Sequence, residues 1–516
     1  MARIGCAGAR TGLVDARRCR RVEDRPIHQR SGRRRAPTAQ EPECPPSPGA
    51  PPTRPGRLSR RRPPNSRGPR SVQRNLRAMR PTQSLFTAAG VLLLALAGAS
   101  GVRPGPVAAS AQTSAGYASL DQRIRAGLDA QASGNLRQAD AIFRAILTVE
   151  PDNGRAAQYL RGLTKEPGYT LGVDELAAER TLAEAGPGFA RYETEIFVIL
   201  SNCDRDWTIA RARLLDRTYY QFQRTMRRLG LEGVPPAEKL QCVLIDSHED
   251  YAQFARRYDG VDASWIAGYY ASRTNRVVFY NDADSPAFRV ASQQLDEFRS
   301  VAAKAEKRAG EARRGEVGRA DELEQQAERI REHIEAEATR LESEVHTASV
   351  TKTTHEAAHL IAFNCGLQSR AHQYPFWLTE GLASCFETLT PDRPFGPDED
   401  FPEREREFIA AMEKGRLVPL EAFVAMNSVP GADAETARVS YAQAYALLRY
   451  LFRYEREKLG AYFRDIMLEP PGMISPRRHA AMFASRFGDP ARLERQWLRE
   501  EERAARLASV KGTLTP

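Results

Sequence analysis

The chain has 516 residues, and its hydrophobic fraction of 41% is enough to build a sizeable core in at least one domain. The net charge of +10 and the pI of about 9.3 come from residues 1–78, which hold 20 Arg, no Lys and 5 acidic residues and so carry +15. The rest of the chain therefore carries −5, and this mildly acidic balance argues against a nucleic-acid-binding protein.

The N-terminal residues divide into two segments of different character. Residues 1–78 are rich in Pro, Gly and Ser with almost no aromatic residues, which predicts a disordered basic tail. Residues 79–111 have the layout of a secretory signal peptide, with an apolar run at 85–99 and small residues up to Ala111. A membrane-spanning helix needs roughly 20 apolar residues, so cleavage near Ala111 and export to the periplasm or the medium are favoured over anchoring through the apolar run. Met79 would then be the true start, and the segment before it an over-extended reading frame.

Residues 112–165 predict a pair of helices. Gly134, Ala139, Phe143 and Pro151 fall at the offsets of one tetratricopeptide repeat. One repeat is a weak signal, because about three copies are needed to bury a continuous core. We therefore expect a tetratricopeptide-like helix pair docked on the next domain, through which a protein partner could bind.

The rest of the chain predicts an α+β fold. Residues 166–290 form a small α/β lobe with a mixed sheet, and its last strand, NRVVFYND, is either an edge strand open to an extended peptide or a plain hairpin strand. Residues 291–345 are dense in Glu, Arg, Lys and Ala and predict a charged helical insertion. A helical lobe over 346–470 and a helical C-terminal tail over 471–516 complete the chain.

Four cysteines follow the signal segment. An even number in an oxidising compartment permits two disulfides, and four buried thiols are the alternative. No pair has the CxxC spacing of a cysteine-based zinc site. The four are Cys203, Cys242, Cys365 and Cys385.

The run HEAAH at residues 355–359 carries the chemistry. Thr353 or Thr354 could cap a helix here, and Gly366 would stop it. Histidines four apart project from one helical face, where both can bind a single zinc ion, but a zinc peptidase also needs a third protein ligand and an open position for water. The alternative is a surface helix with two solvated histidines; the adjacent run LIAF instead indicates burial, where unpaired His and Glu side chains would be costly.

A second helix, entered after Pro375, carries Glu380 in the run PFWLTEGLASCFE, with 20 residues between it and His359. We expect the small residues Gly381, Ala383 and Ser384 to let this helix approach the first one closely.

H-E-x-x-H followed after about twenty residues by W-L-x-E-G-x-A resembles the gluzincin signature. Thermolysin-like and aminopeptidase-N-like enzymes share this signature, as do the peptidase-MA-like families of exported bacterial proteins. The resemblance is close over residues 346–390 and looser over 190–455. It implies that Glu380 is the third zinc ligand beside His355 and His359.

Zinc would lower the pKa of a bound water toward ~7, and Glu356 would act as the catalytic base that takes its proton and passes it to the leaving amine. The anionic intermediate needs a further hydrogen-bond donor, which gluzincins commonly take from a Tyr or His on a downstream helix. Tyr441 is our first choice and Tyr445 the second, although both could be core aromatic residues at helical spacing.

Three other polar residues near the motif have weaker claims. Glu387, seven residues after Glu380, could hold a ligand histidine in place, but a surface carboxylate is the commoner case. His346 and His372 could contact substrate or simply be solvated. The Gly-x-Met-Glu-Asn segment that holds a substrate's free amine in aminopeptidase-N-like enzymes is missing, which favours an endopeptidase.

The sequence thus predicts an exported zinc endopeptidase with a peptide or protein substrate, without nucleic acid and without a stable membrane anchor. The alternative is a catalytically inactive envelope scaffold or binding protein that uses a peptidase-like fold and its N-terminal helices. A metal-dependent hydrolase of non-peptide amides is a third interpretation.

Overall fold

The structure is a computed structural model that describes residues 119–512 except 151–152, 232, 264–265, 314–316 and 430–432. The predicted tail and signal peptide lie outside the described residues. The described part confirms a mixed α+β fold, with one five-stranded sheet followed by a mainly helical C-terminal part. Within it, no helix combines the length and the apolar character needed to cross a membrane.

Three helices, rather than a pair, open the described chain. Each begins at a side chain that accepts a hydrogen bond from a backbone N–H of the first turn: Ser119, Asn135 and Asn153. Phe143 is the centre of their small core, and Arg144 joins them to the next part of the chain by donating to the carbonyls of Pro235 and Pro236. The helices are α1 Leu120–Ala132, α2 Leu136–Val149 and α3 Gly154–Leu163.

The sheet has the order β1-β2-β3-β5-β4, with β2, β3 and β5 parallel and the two edge strands antiparallel to their neighbours. Its three central strands are buried along their whole length, because helices cover both faces. The elements are α4 Glu175–Ala185, β1 Ala190–Glu193, β2 Phe197–Ser201, α5 Arg205–Arg228, β3 Leu240–Ile245, α6 His248–Phe254, β4 Gly268–Ala271 and β5 Arg276–Tyr280.

The strand read from NRVVFYND is internal, so its interpretation as an edge strand is wrong. This strand is β5, and it pairs with β3 on one side and with β4 on the other. The chain passes from β3 to the far edge of the sheet, forms β4 there, and returns through a turn in which Asn275 has a φ of 55°. The free edge of the sheet on this side therefore belongs to β4.

The charged segment forms one helix, α7 Pro286–Ala312, and the first half of another, α8 Val317–Asn364. The two pack together through Phe298, Ala302 and Ile330. Because α8 runs unbroken into the HEAAH motif, the prediction that Thr353 or Thr354 caps the motif helix is wrong. Both hydroxyls instead donate to backbone carbonyls one turn earlier in the same helix. The helix does end where expected, just before Gly366, whose φ is 81°.

Seven further helices follow, and a short strand pair joins residues 372–373 to 472–473. Gly381 faces α12, because a side-chain carbon added there would lie 2.5 Å from the backbone oxygen of Ala444. The expectation that Gly381 brings its helix close to the motif helix is therefore corrected: the close approach is to α12. The elements are β6 His372–Gln373, α9 Phe376–Ser384, α10 Pro402–Glu413, α11 Leu420–Phe423, α12 Ala434–Tyr454, α13 Arg456–Met467, β7 Gly472–Met473, α14 Pro476–Phe487 and α15 Pro490–Gly512.

The four cysteines of the described chain, Cys203, Cys242, Cys365 and Cys385, are buried free thiols, so the alternative of two disulfides is wrong. Burial raises the pKa of all four thiols, which makes them inert core residues rather than reactive groups.

Candidate metal centre

Three electron-pair donors from two helices converge in the interior. His355 and His359 of α8 place their Nε2 atoms 3.3 Å apart, and Oε2 of Glu380 in α9 lies 3.3 Å from the first and 3.5 Å from the second. One donor atom from each side chain lies within 4.8 Å of the other two, so the group could hold a metal ion. All three residues are buried, with Glu380 fully inaccessible.

The local sequence explains how the two helices present these groups. A spacing of four places both histidines on one face of α8, one turn apart. Helix α9 begins at Phe376, directly after Pro375, and the Phe376 N–H donates to the carbonyl of Met426. The next residue, Trp377, is fully buried against Tyr462 and Phe483, which fixes the rotation of this short helix.

Glu356, between the two histidines in sequence, is a buried carboxylate with unusual surroundings. It is 1% exposed, and neither of its oxygens has a close hydrogen-bond partner among the described residues, although the Tyr270 backbone lies near enough to lower its pKa. Burial raises the pKa of Glu356 to about 7, against the opposing effect of both histidines. An unpaired buried carboxylate is costly, so its position favours a site that receives a partner such as water or substrate.

Glu387 is buried and holds His355, so the interpretation as a surface carboxylate is wrong. Its Oε1 lies 2.9 Å from Nδ1 of His355. Helix α9 has already ended at Ser384, and the following turn directs Glu387 back toward the histidine. An ionised carboxylate can only accept, so Nδ1 carries a proton, and in the neutral imidazole the lone pair lies on Nε2, which is directed at the cluster.

Electrostatics in the centre favours a bound cation. Glu356, Glu380 and Glu387 are three buried carboxylates, and one buried guanidinium, Arg404, contacts them through Glu387. In the protonation state that binds a metal, with both histidines neutral and all three carboxylates ionised, two negative charges would remain unbalanced, and a divalent cation would neutralise them. Burial opposes charge on His355, yet Glu380 and Glu387 outweigh it and raise the pKa of His355 to about 10, which shows how strongly the cluster attracts positive charge.

The donor set fits zinc. Two imidazole nitrogens and one carboxylate oxygen, with a fourth position left for water, form the ligand set of a catalytic zinc site. The fully buried Oε1 of Glu380 has no hydrogen-bond partner among the described side chains and backbone groups, as expected for an oxygen facing a cation or its water. Glu387 supplies the hydrogen bond that metal-binding histidines usually make through their other nitrogen.

The two candidate tyrosines lie one turn apart on α12 and differ in their contacts. The Tyr441 ring is 6.2 Å from the His355 ring and 5.3 Å from that of Phe376, which places it beside the cluster. The Tyr445 hydroxyl accepts a hydrogen bond of 2.8 Å from the Phe401 backbone and thereby holds the start of α10.

The two histidines considered as substrate contacts, His372 and His346, lie outside the cluster. Nε2 of His372 is 2.6 Å from the carbonyl oxygen of Glu469, a contact that joins β6 to the segment after α13. His346 precedes His355 by nine residues on α8, which is about 13 Å along a helix.

Two neighbours of the cluster were not found by sequence reasoning. Arg404 lies in the charged run FPEREREF, where nothing separates a buried arginine from exposed ones. The Tyr270 ring of β4 stacks on Phe363 of α8 at 5.4 Å, and the Tyr270 backbone lies against the Glu356 carboxylate and opposes the rise in its pKa. The free edge strand of the sheet thus runs beside the candidate base.

Comparison with known families gives one local match. Residues 349–396 match the model of a family described as "Protein of unknown function (DUF1570)". The matched segment runs from the second half of α8 to the loop after α9 and contains the three cluster residues, Glu356 and Glu387. No curated protein matches the chain.

Proposed function

We propose that the protein is a zinc-dependent peptidase of the gluzincin type that hydrolyses peptide bonds within extended peptides or proteins. The observation that carries this proposal is the buried group of His355, His359 and Glu380, whose donor atoms converge beside the unpaired carboxylate of Glu356. Among the catalytic uses of such a donor set, hydrolysis by an activated water is the one that also needs a base at this position.

Each side chain then has a distinct task. Zinc, when bound, would lower the pKa of a water toward ~7 and polarise a carbonyl. Glu356 takes the proton of the attacking water and delivers it to the leaving amine, and its burial, which raises the carboxylate pKa, makes it a stronger base than an exposed carboxylate. Tyr441 donates a hydrogen bond to the developing oxyanion. Glu387 holds His355 with Nε2 directed inward.

The sheet edge supports an extended substrate. Among the described residues, strand β4 pairs with β5 alone, and its Tyr270 backbone lies against the Glu356 carboxylate. A peptide that pairs with this edge would place one of its carbonyl groups near the base. Main-chain pairing does not require a free terminus, which favours an endopeptidase.

The test uses the full chain, loaded with zinc, on peptides blocked at both ends and on a panel of non-peptide amides. We expect internal cleavage of the blocked peptides that a chelator abolishes. Glu356→Gln should keep its zinc and lose roughly 10²- to 10⁴-fold in rate, whereas Glu342→Gln, on the exposed face of the same helix, should behave as wild type.

Three outcomes would contradict the proposal. The wild-type protein could bind zinc and cleave none of the peptides, it could hydrolyse only the non-peptide amides, or Glu356→Gln could remain as active as wild type. Retained biological function in Glu356→Gln would instead support a binding or scaffold protein.

We also propose that the enzyme acts outside the cytoplasm after cleavage near Ala111. The support is the sequence layout of residues 79–111. N-terminal sequencing of protein recovered from the periplasm or the medium should give a start near Gln112. A product that keeps residues 85–99 and fractionates with membranes would contradict it.

A further inference from the structure

One buried guanidinium contacts two groups of the site that come from different helices. Arg404, in the first turn of α10, donates from Nε and Nη2 to the two oxygens of Glu387, at 2.8 and 2.9 Å. The same guanidinium lies 5.6 Å from the centre of the Tyr441 ring. Arg404 is 9% exposed, so both contacts are formed away from bulk water.

The contact with Glu387 continues to a donor of the metal centre. Glu387 accepts the Nδ1 hydrogen of His355 at 2.9 Å. A two-pronged contact between guanidinium and carboxylate fixes the plane of the carboxylate, because both N–H groups must point at their oxygens together. The imidazole held by that carboxylate is then fixed in rotation, with Nε2 directed at His359 and Glu380.

We propose that Arg404 is a positioning residue that holds His355 in its metal-binding orientation through Glu387 and keeps the Tyr441 ring beside the same centre. One side chain thereby sets the relative placement of a metal donor on α8 and a hydrogen-bond donor on α12. The part that concerns Tyr441 rests on the proposed peptidase function, whereas the part that concerns His355 needs only a metal ion.

The chain contains a matched control for this arginine. Arg449 of α12 is 7% exposed, lies 5.8 Å from the centre of the Tyr445 ring, and forms ion pairs with Asp400 and Glu405. Arg449 thus resembles Arg404 in three respects: it is buried, it lies beside a tyrosine ring, and it pairs with carboxylates. Among the described residues, neither Asp400 nor Glu405 forms a hydrogen bond or ion pair with His355, His359 or Glu380.

The first test compares the zinc affinity of Arg404→Lys and Arg449→Lys by competition with a chelator of known affinity. Lysine keeps the charge, so Glu387 is not left as an unpaired buried anion, but it cannot make the two-pronged contact. We expect Arg404→Lys to weaken zinc binding by roughly 10- to 100-fold and Arg449→Lys by less than about 3-fold. Equal zinc affinities in the two variants would overturn the proposal.

The second test asks whether the effect passes through Glu387. In a Glu387→Gln background, Arg404→Lys should weaken zinc binding by less than about 3-fold further, because the contact that it removes is already altered. A full additional loss in that background would show that Arg404 acts by another route. In ¹⁵N-histidine spectra, the Nδ1 signal of His355 should shift in Arg404→Lys and not in Arg449→Lys.

These readouts separate the inference from the proposed function. A wild-type protein that binds zinc and cleaves no peptide refutes the peptidase, while the affinity comparison still decides the role of Arg404 at His355. If peptides are cleaved, Arg404→Lys should also lower kcat under zinc saturation by roughly 10-fold or more, since the Tyr441 ring loses its neighbour. An unchanged kcat under saturation would remove Tyr441 from the proposal.

Discussion

Tyr441 and Tyr445 lie one turn apart on α12, yet their surroundings differ, and we propose different roles for them. Tyr441 lies beside His355 and Phe376, and burial raises its pKa well above the usual value, so its hydroxyl remains a donor at any working pH. Tyr445 supports the backbone of Phe401. The sequence could order the two only by their place in the pattern, because both sit at helical spacing in the buried middle of α12.

We expect Tyr441→Phe to lower kcat by roughly 10²- to 10³-fold, as the loss of an oxyanion donor does, with zinc content unchanged. Tyr445→Phe should keep its kcat and instead lose about 1–2 kcal/mol of stability, because it leaves the Phe401 N–H without its acceptor. Steady-state kinetics and urea unfolding of both variants make the comparison. A larger loss of kcat in Tyr445→Phe would reverse the assignment.

His479 allows a prediction about the pH dependence of stability. It lies on α14, far in sequence from the residues of the metal centre. It is fully buried in α14, and neither ring nitrogen has a hydrogen-bond partner among the described residues. Burial lowers its pKa to about 4, although Glu469 opposes this. In the unfolded chain the pKa of His479 is about 6.5, so the unfolded state binds the imidazole proton more tightly than the folded state does. The stability that is present above pH 6.5 is therefore lost as the pH falls toward 4.

We expect His479→Met to reduce the loss of stability between pH 7 and pH 5 by roughly 1–2 kcal/mol relative to wild type. The measurement is urea unfolding of both proteins at the two pH values, with the same zinc concentration throughout. Groups that titrate over this range in both proteins cancel in the difference. Parallel losses in wild type and variant would show that His479 does not bind a proton on unfolding.

At the scale of elements, the contact between α9 and α12 is set by a glycine. A side-chain carbon at Gly381 would lie 2.5 Å from the backbone oxygen of Ala444 and 3.1 Å from the Cβ of Leu448. Backbone on the opposite helix cannot rotate away as a flexible side chain can. Gly381 follows Glu380 directly, so any shift of α9 that relieves this overlap also moves a donor of the metal centre.

Gly381→Ala should therefore cost about 1–3 kcal/mol of stability and weaken zinc binding. Gly162→Ala is the matched change, because Gly162 is also helical and an added carbon there meets nothing within 4 Å. It should gain about 0.5–1 kcal/mol from reduced backbone freedom in the unfolded chain. Urea unfolding and chelator competition measure both effects, and a Gly381→Ala protein with wild-type stability would contradict the packing argument.

Local pattern predicted most elements around the site, and the failures have physical causes. Gly366 and Pro375 mark real helix boundaries, because glycine tolerates the positive φ found just after α8 and proline has a fixed φ just before α9. The prediction that Thr353 or Thr354 caps a helix failed because a threonine hydroxyl can form its hydrogen bond inside a helix as well as at its start. The order of β4 and β5 depends on where the chain crosses the sheet, which no local pattern records.

At the scale of the whole molecule, the sequence could predict the grouping of the three donor residues. The spacing of His355 and His359 is a property of one helix, and Glu380 is implied by the signature that includes both. The groups that orient these donors could not be predicted. Arg404 and Tyr270 reach the centre through tertiary packing of α10 and β4, and their own neighbours in sequence give no sign of it. Glu387 was the intermediate case: its candidacy came from spacing, but its burial came from the turn after α9.

If the cluster binds zinc as we propose, the stability of the whole molecule should depend on metal. The cluster joins α8 to α9, and a divalent cation bound there would stabilise the folded state, because the unfolded chain has no equivalent site. At a free zinc concentration of about 1,000 times Kd, the folded state should gain about 4 kcal/mol.

We expect the thermal unfolding temperature of the chelator-treated wild-type protein to rise by several degrees when zinc is added. Glu380→Ala removes a donor and should lose most of this shift, whereas Glu342→Gln, an exposed carboxylate on α8, should keep it. A shift of equal size in Glu380→Ala would place the stabilising zinc elsewhere on the protein and remove the basis for a catalytic centre between these two helices.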